Sequence, residues 1–138
     1  MGKKIVHMGI DDTDSSKGGC TTYVLALIVE KLFEKFPGQV RFLDYPNLVR
    51  LNPNIPWKTR GNGAVALRIE TSSSILERAQ NLILEVVEKN SMVSEGAQPA
   101  VVFLEGSLTK EALSFGKRVL FEVVGEHEAK DLAKRLKA

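Results

Sequence analysis

The chain has one cysteine, Cys20, and two histidines among 138 residues. A single thiol rules out a disulfide framework within the chain and leaves no cysteine set for a zinc ribbon or finger. No apolar run approaches the roughly 20 residues that span a bilayer. The start, MGKKIVHMGI, is too short and too interrupted for a secretion signal. Gly2 lacks the Ser or Thr at the sixth position that myristoylation prefers. A cytoplasmic location is the expectation. A large charge of one sign is also missing. The net charge of +2 does not by itself argue for nucleic acid, so any basic surface must come from local clustering.

What remains is ordinary globular composition, 43% hydrophobic and 26% charged, which is enough for one domain with a real core and too short for two comfortable ones. KKIVHMGI reads as a buried strand with Val6, Met8 and Ile10 on one face and Ile5, His7 and Gly9 on the other. Residues 20–36 carry a helical stripe of Val24, Leu27, Ile28 and Leu32, stopped by Pro37 and Gly38. QVRFLDYPNLVRLN is extended and interrupted at Pro46, and AVALRIE is a strand. Residues 74–90 form the clearest helix, with Ser74 and Glu77 at capping-box spacing and a stripe of Leu76, Ala79, Ile83, Val86 and Val87. PAVVFLE has the length of a strand. Residues 107–124 lean to helix through Ala112, Gly116, Val119 and Val123, and EHEAKDLAKRLKA closes as a charged amphipathic helix. The order βαββαβ predicts an α+β, ferredoxin-like sandwich over 1–138, an antiparallel sheet of four strands with helices packed on one face, plus C-terminal helices.

Two stretches carry the chemistry. The first is GIDDTDSSKGGCTTY, where Asp11, Asp12 and Asp14 crowd the end of the first strand. Carboxylates this close repel, so their ionised forms need a cation or good donors. Magnesium takes hard oxygen ligands and keeps phosphates in its shell. An Asx-rich turn that only satisfies backbone amides explains a lone D-D-T-D equally well. The continuation adds Lys17, Gly18, Gly19, Thr21 and Thr22 at a helix start, where unpaired amides favour phosphate. It is not a Walker A sequence. The second stretch is RLNPNIPWKTRGNG. Its residues 52–63 hold two prolines, two glycines and three asparagines, so they form a loop. Lys58, Thr59, Arg60 and Asn62 suit phosphate and Trp57 offers a flat face to a base. His7 is expected to be a packed core residue and His127 a solvated one. Cys20, at a helix start, could have a lowered thiol pKa but has no base placed near it.

Together the two stretches resemble the N-terminal part of the archaeal tRNA(Ile) 2-agmatinylcytidine synthetases. The resemblance implies a kinase-like catalytic domain that uses ATP and Mg2+ to phosphorylate the C2 oxygen of the wobble cytidine in the CAU anticodon, so that agmatine can displace it. On that resemblance Asp11, Asp12 and Asp14 would hold magnesium. Gly18, Gly19, Thr21 and Thr22, with Lys17, would line the phosphates of ATP, and Thr21 would be a candidate to accept phosphate. Lys58, Thr59, Arg60 and Asn62 would contact phosphate groups or the cytidine. Partners would be tRNA(Ile) and agmatine. The family is much longer, with an oligonucleotide-binding fold and a zinc ribbon. The expectation is therefore an N-terminal portion of a larger multidomain enzyme, or a stand-alone relative, supplying part of the site.

Two other readings stay open. One is a D-x-D phosphatase of the haloacid-dehalogenase type, with Asp12 as nucleophile and Asp14 as acid/base; it needs a downstream acidic pair. The other is a non-catalytic RNA-binding ferredoxin-like module.

Overall fold

The structure is a computed structural model that describes residues 2–138. It begins with β1 (Lys3–Asp11), whose alternation sends Val6, Met8 and Ile10 inward, each no more than 3% exposed. β1 is the centre of the sheet. On one side it pairs antiparallel with β4 (Gly63–Ser72), which places Val6, Met8 and Ile10 opposite Ile69, Leu67 and Val65, all buried. On its other side runs β5 (Ala100–Glu105), also antiparallel.

Two helices cover this inner face. α1 (Thr21–Lys35) buries Val24, Leu25, Ile28 and Leu32, and α2 (Ser73–Asn90) buries Ile75, Leu76, Ala79, Ile83, Val86 and Val87. Their apolar stripes recur at helical spacing, so each lays one face on the sheet and leaves the charged face to water. Burial of several such side chains, each about 1.5–3 kcal/mol, dominates the stability of this core.

The outer edge of β4 is filled in two pieces, β2 (Val40–Phe42) and β3 (Asn47–Arg50). From the pair Phe42↔Ile69 to the pair Asn47↔Ala66 one strand advances five residues and the other three. The two extra residues bulge out around Tyr45 and Pro46, and Pro46 has no N–H to give the ladder. The strand order β2–β4–β1–β5, with β3 beside β4, is the ferredoxin-like arrangement anticipated from the pattern, with its second strand split into two.

The last elements are α3 (Lys110–Arg118) and α4 (Glu126–Leu136), tied to each other by Arg118–Glu128 and Arg135–Glu111 ion pairs. No helix among the described residues is long and apolar enough to cross a membrane.

Four expectations are corrected. β1 is buried on one face only: Ile5 is 40% exposed. His7 is on that open face and half-buried, its Nε2 2.9 Å from the Gly106 carbonyl oxygen, so it is not a core residue. The Ser74/Glu77 capping box does not form. α2 follows β4 without a loop, Ser72 is its N-cap, and the register is set by burying Ile75 rather than by a side-chain cap. The helix in 107–124 is short: Thr109 caps it through Ala112 N at 3.1 Å, it ends at Arg118, and Val123 lies beyond it, 66% exposed.

Candidate nucleotide-phosphate site

The acidic turn is built around its buried members. Thr13 is completely buried; its Oγ1 donates to Thr21 Oγ1 at 2.9 Å and its carbonyl accepts from Met92 N at 2.9 Å. Asp14 is only 8% exposed, and its Oδ1 accepts from the Thr59 hydroxyl at 3.0 Å while Oδ2 lies 3.6 Å from Arg60. Asp12 takes a left-handed backbone (φ 54) and accepts from Gln98 N at 2.9 Å. Asp11 accepts from Asp12 N at 2.7 Å. Burial pushes the Asp11 carboxyl above the ordinary aspartate value, and the charges of Asp12 and Asp14 push the same way against the Asp12 amide.

Behind the acids the chain doubles back. Ser15 N donates to Gly18 O at 2.7 Å and Lys17 N to Ser15 Oγ at 3.1 Å. Gly19 sits at φ 84, where a Cβ would meet Met92 Cγ at 2.8 Å and Asp14 Cα at 3.0 Å, so only glycine fits. α1 then starts at Thr21 with Cys20 as its N-cap and no side-chain cap, which leaves its first amides facing out. Thr22 is exposed. Its hydroxyl lies 2.9 Å from Cys20 Sγ, and that hydrogen bond leads the causes that lower the thiol pKa, with nearby amides and the Arg60 charge adding to it.

The 52–62 loop reaches across to this turn. Besides Thr59 on Asp14, Arg60 Nη2 donates to the Gly19 carbonyl at 2.9 Å, a contact between residues 41 apart. Trp57 stands out at 78% exposed.

So the fold brings Asp14, Gly19, Thr59 and Arg60 into one cluster, with Asp11, Asp12, Lys17 and Thr22 in the same turn. Other expected residues are oriented elsewhere. Thr21 is 7% exposed and bonded to Thr13. Lys58 Nζ points back at its own loop, 3.3 Å from Ile55 O. The expected ligand contact of Asn62 gives way to an internal one, since its Nδ2 donates to Asn52 O at 2.6 Å. The three aspartates do not form a cage: among the described residues no three His, Cys, Asp or Glu side chains are grouped to hold a metal. That also removes the acidic set that the D-x-D phosphatase reading needs, and Asp44 is paired with Arg68 instead.

Sequence reasoning missed a third wall, residues 91–98. Met92 backs Gly18 and Gly19, Glu95 pairs with Lys17 at 2.6 Å, and the Gln98 amide holds Asp12. The only cue in the sequence was Gly96, which takes a left-handed backbone (φ 96) at the end of a 3-10 turn.

Residues 7–74 match the family described as the TiaS TCKD domain. The tRNA(Ile) 2-agmatinylcytidine synthetase TiaS of Thermococcus sibiricus is 42% identical over 134 residues, 96% of this chain and 30% of that protein. The same enzyme of Pyrococcus horikoshii is 42% identical over 132 residues, again 30% of its length. Among solved structures, a complex of TiaS with its isoleucine tRNA and ATP superposes with a TM-score of 0.85 at 34% identity, covering 95% of this chain and 30% of that one. A complex of TiaS with the same tRNA, AMPCPP and agmatine superposes with a TM-score of 0.82 at 30% identity and the same coverage. The chain thus spans about 30% of the length of the curated relatives it matches.

Proposed function

The chain belongs to the TiaS family through its TCKD domain, and from that premise we propose that it is the ATP-handling part of a tRNA(Ile) 2-agmatinylcytidine synthetase. The observation that carries the proposal is the cluster in which a cationic loop closes on a glycine turn at a helix start: Thr59 and Arg60 meeting Asp14 and Gly19. Helix amides, a glycine turn and a guanidinium converging on one place suit a triphosphate.

The substrate chemistry explains why ATP is wanted. A urea-like carbonyl such as C2 of cytidine resists displacement because its oxygen leaves poorly. Phosphorylating that oxygen turns it into a good leaving group, which an amine such as agmatine can displace. Phosphoryl transfer asks the protein mainly for position and charge neutralisation. In this reading the α1 amides, Gly18, Gly19 and Thr22 cradle phosphate oxygens. Arg60 turns from Asp14 and the Gly19 carbonyl to a phosphate, and Lys17 leaves Glu95 for the same purpose. Thr21 accepts phosphate only if its hydroxyl first leaves Thr13; Thr22 is open as it stands.

The residues fit a magnesium ion in one way. Magnesium usually takes one or two carboxylates and fills its shell with water and phosphate. Asp11 and Asp12 each have one oxygen uncommitted among the described residues, and the raised Asp11 carboxyl is a place where positive charge is welcome. When bound, the ion would neutralise the phosphates. Asp14, already committed to Thr59 and Arg60, holds the loop.

A plain RNA-binding module has less support. Such sheets stack bases on exposed aromatics. The open face here presents Ile5, His7 and Gly9 from β1, Ala64, Ala66 and Arg68 from β4, and Val102 and Leu104 from β5, with no Phe, Tyr or Trp among them.

Titration calorimetry of the chain with ATP, with and without magnesium, is the test. Magnesium-dependent binding that Asp12→Asn and Arg60→Ala each abolish is the expected result. Folded protein that binds tRNA, ignores ATP and tolerates Asp12→Asn would overturn the proposal in favour of the RNA-binding module.

A further inference from the structure

The 52–62 loop must deliver Thr59 to Asp14, 45 residues away in sequence, and it has no helix or strand of its own to do so. Its shape is held at the neck. Asn62 Nδ2 donates to Asn52 O at 2.6 Å, Leu51 N donates to Asn62 O at 2.8 Å, and Asn52 Oδ1 accepts from Asn54 N at 3.0 Å. Asn52 is 6% exposed, one of the few buried polar residues outside the acidic turn. Towards the tip, Asn62 N donates to Thr59 O at 3.2 Å, so the residue that closes the neck also folds the Thr59–Asn62 turn. Arg60 and Asn62 both have left-handed backbones, φ 50 and 56.

We propose that Asn52 and Asn62 form a clasp of positioning residues that sets where Thr59 and Arg60 meet the acidic turn. What they position is a phosphate grip only if the nucleotide reading above holds; the clasp itself stands on the geometry. Asparagine suits both places. At position 62 it tolerates the left-handed backbone and its amide supplies the N–H that Asn52 O accepts. At position 52 only the side-chain oxygen is used, so aspartate can replace it and alanine cannot. Buried partners of this kind are costly to break, because each group left behind has no water to replace the lost bond.

Trp57 is the sole tryptophan and sits in this loop, so its fluorescence anisotropy reports the loop alone. The variants are Asn62→Asp, which keeps the backbone preference but turns an oxygen on the Asn52 carbonyl, Asn52→Ala, and Asn52→Asp as the conservative control. Each is measured in the 138-residue chain, below its melting transition. The expected result is lower Trp57 anisotropy for Asn62→Asp and Asn52→Ala, parental anisotropy for Asn52→Asp, and ATP affinity about tenfold weaker for the first two. Parental anisotropy in Asn62→Asp and Asn52→Ala overturns the clasp. A loosened loop with unchanged ATP affinity overturns the positioning role. If the parent chain itself binds no ATP, the nucleotide reading fails while anisotropy still decides the clasp. If neither variant folds, amide exchange in the parent decides: fast exchange at Asn54 and Asn62 refutes the clasp, and slow exchange at both supports it.

Discussion

Gly19→Ala should damage the site far more than Gly18→Ala, and the reason lies in two backbones. Gly19 sits at φ 84, so any side chain there incurs a left-handed cost of about 1–2 kcal/mol. Its new Cβ would also lie 2.8 Å from Met92 Cγ, 3.0 Å from Asp14 Cα and 3.3 Å from Asp14 Cβ. Met92 has little room to yield, because its amide is bonded to Thr13 O and its carbonyl accepts from Ala97 N. Asp14 Cα is backbone within the turn itself. Relief therefore means opening the turn, and the two effects together give about 2–4 kcal/mol. For 138 residues the unfolding entropy is about 0.29 kcal/mol/K, so the melting midpoint should fall by about 7–14 °C. Gly18 has an ordinary backbone and meets only Met92 Cε at 3.7 Å, so its alanine variant should stay within about 1 kcal/mol of the parent. Thermal denaturation of the two variants side by side is the assay. Equal melting points would refute the packing argument.

The remaining predictions concern titration. The Asp11 carboxyl is raised above the ordinary 3.8, so the folded state holds that proton more tightly than the unfolded chain, and stability from this group is lost as pH rises from about 3.8 through the folded value. With chelator present, Asp11→Asn should therefore melt higher than the parent at pH 7 and lose that advantage near pH 3; a variant less stable than the parent at pH 7 would contradict this. Cys20, with its thiol pKa lowered first by Thr22, should alkylate with iodoacetamide at neutral pH faster than a free cysteine model compound, and Thr22→Val should slow it. Unchanged rates in Thr22→Val would dismiss the hydroxyl as the cause.

Most of the architecture was readable because the inner face is made of side chains with a period. Val6, Met8 and Ile10 alternate, and Leu76, Ala79, Ile83, Val86 and Val87 follow a helix, so burying one forces the others. The pattern is silent where no core position is at stake. Only the edge of β4 decides how β2 and β3 divide, and the α2 cap was misplaced because Ile75 needed burying and Ser74 did not need to cap.

The site divides along a different line. The turn and the loop were visible as runs of chemically distinctive side chains. The wall at 91–98 was not, because it acts largely through main-chain amides, Met92 N on Thr13 and Gln98 N on Asp12, which any residue could supply. Nor does composition reveal direction. Asn62 and Lys58 have ligand chemistry and turn it inward, while the one buried carboxylate, Asp14, recruits Thr59 and Arg60 from the far side of the fold. The charges of the turn are matched from within: Arg60 with Asp14, Lys17 with Glu95, the Gln98 amide with Asp12. A phosphate that takes Arg60 must take it from Asp14, and Asp14 is too buried to be left unpaired cheaply. Under the proposed function, this exchange makes ATP affinity a difference between two sets of partners. Thr59, which stays on Asp14 when Arg60 leaves, is then the residue that keeps the cost of the exchange low.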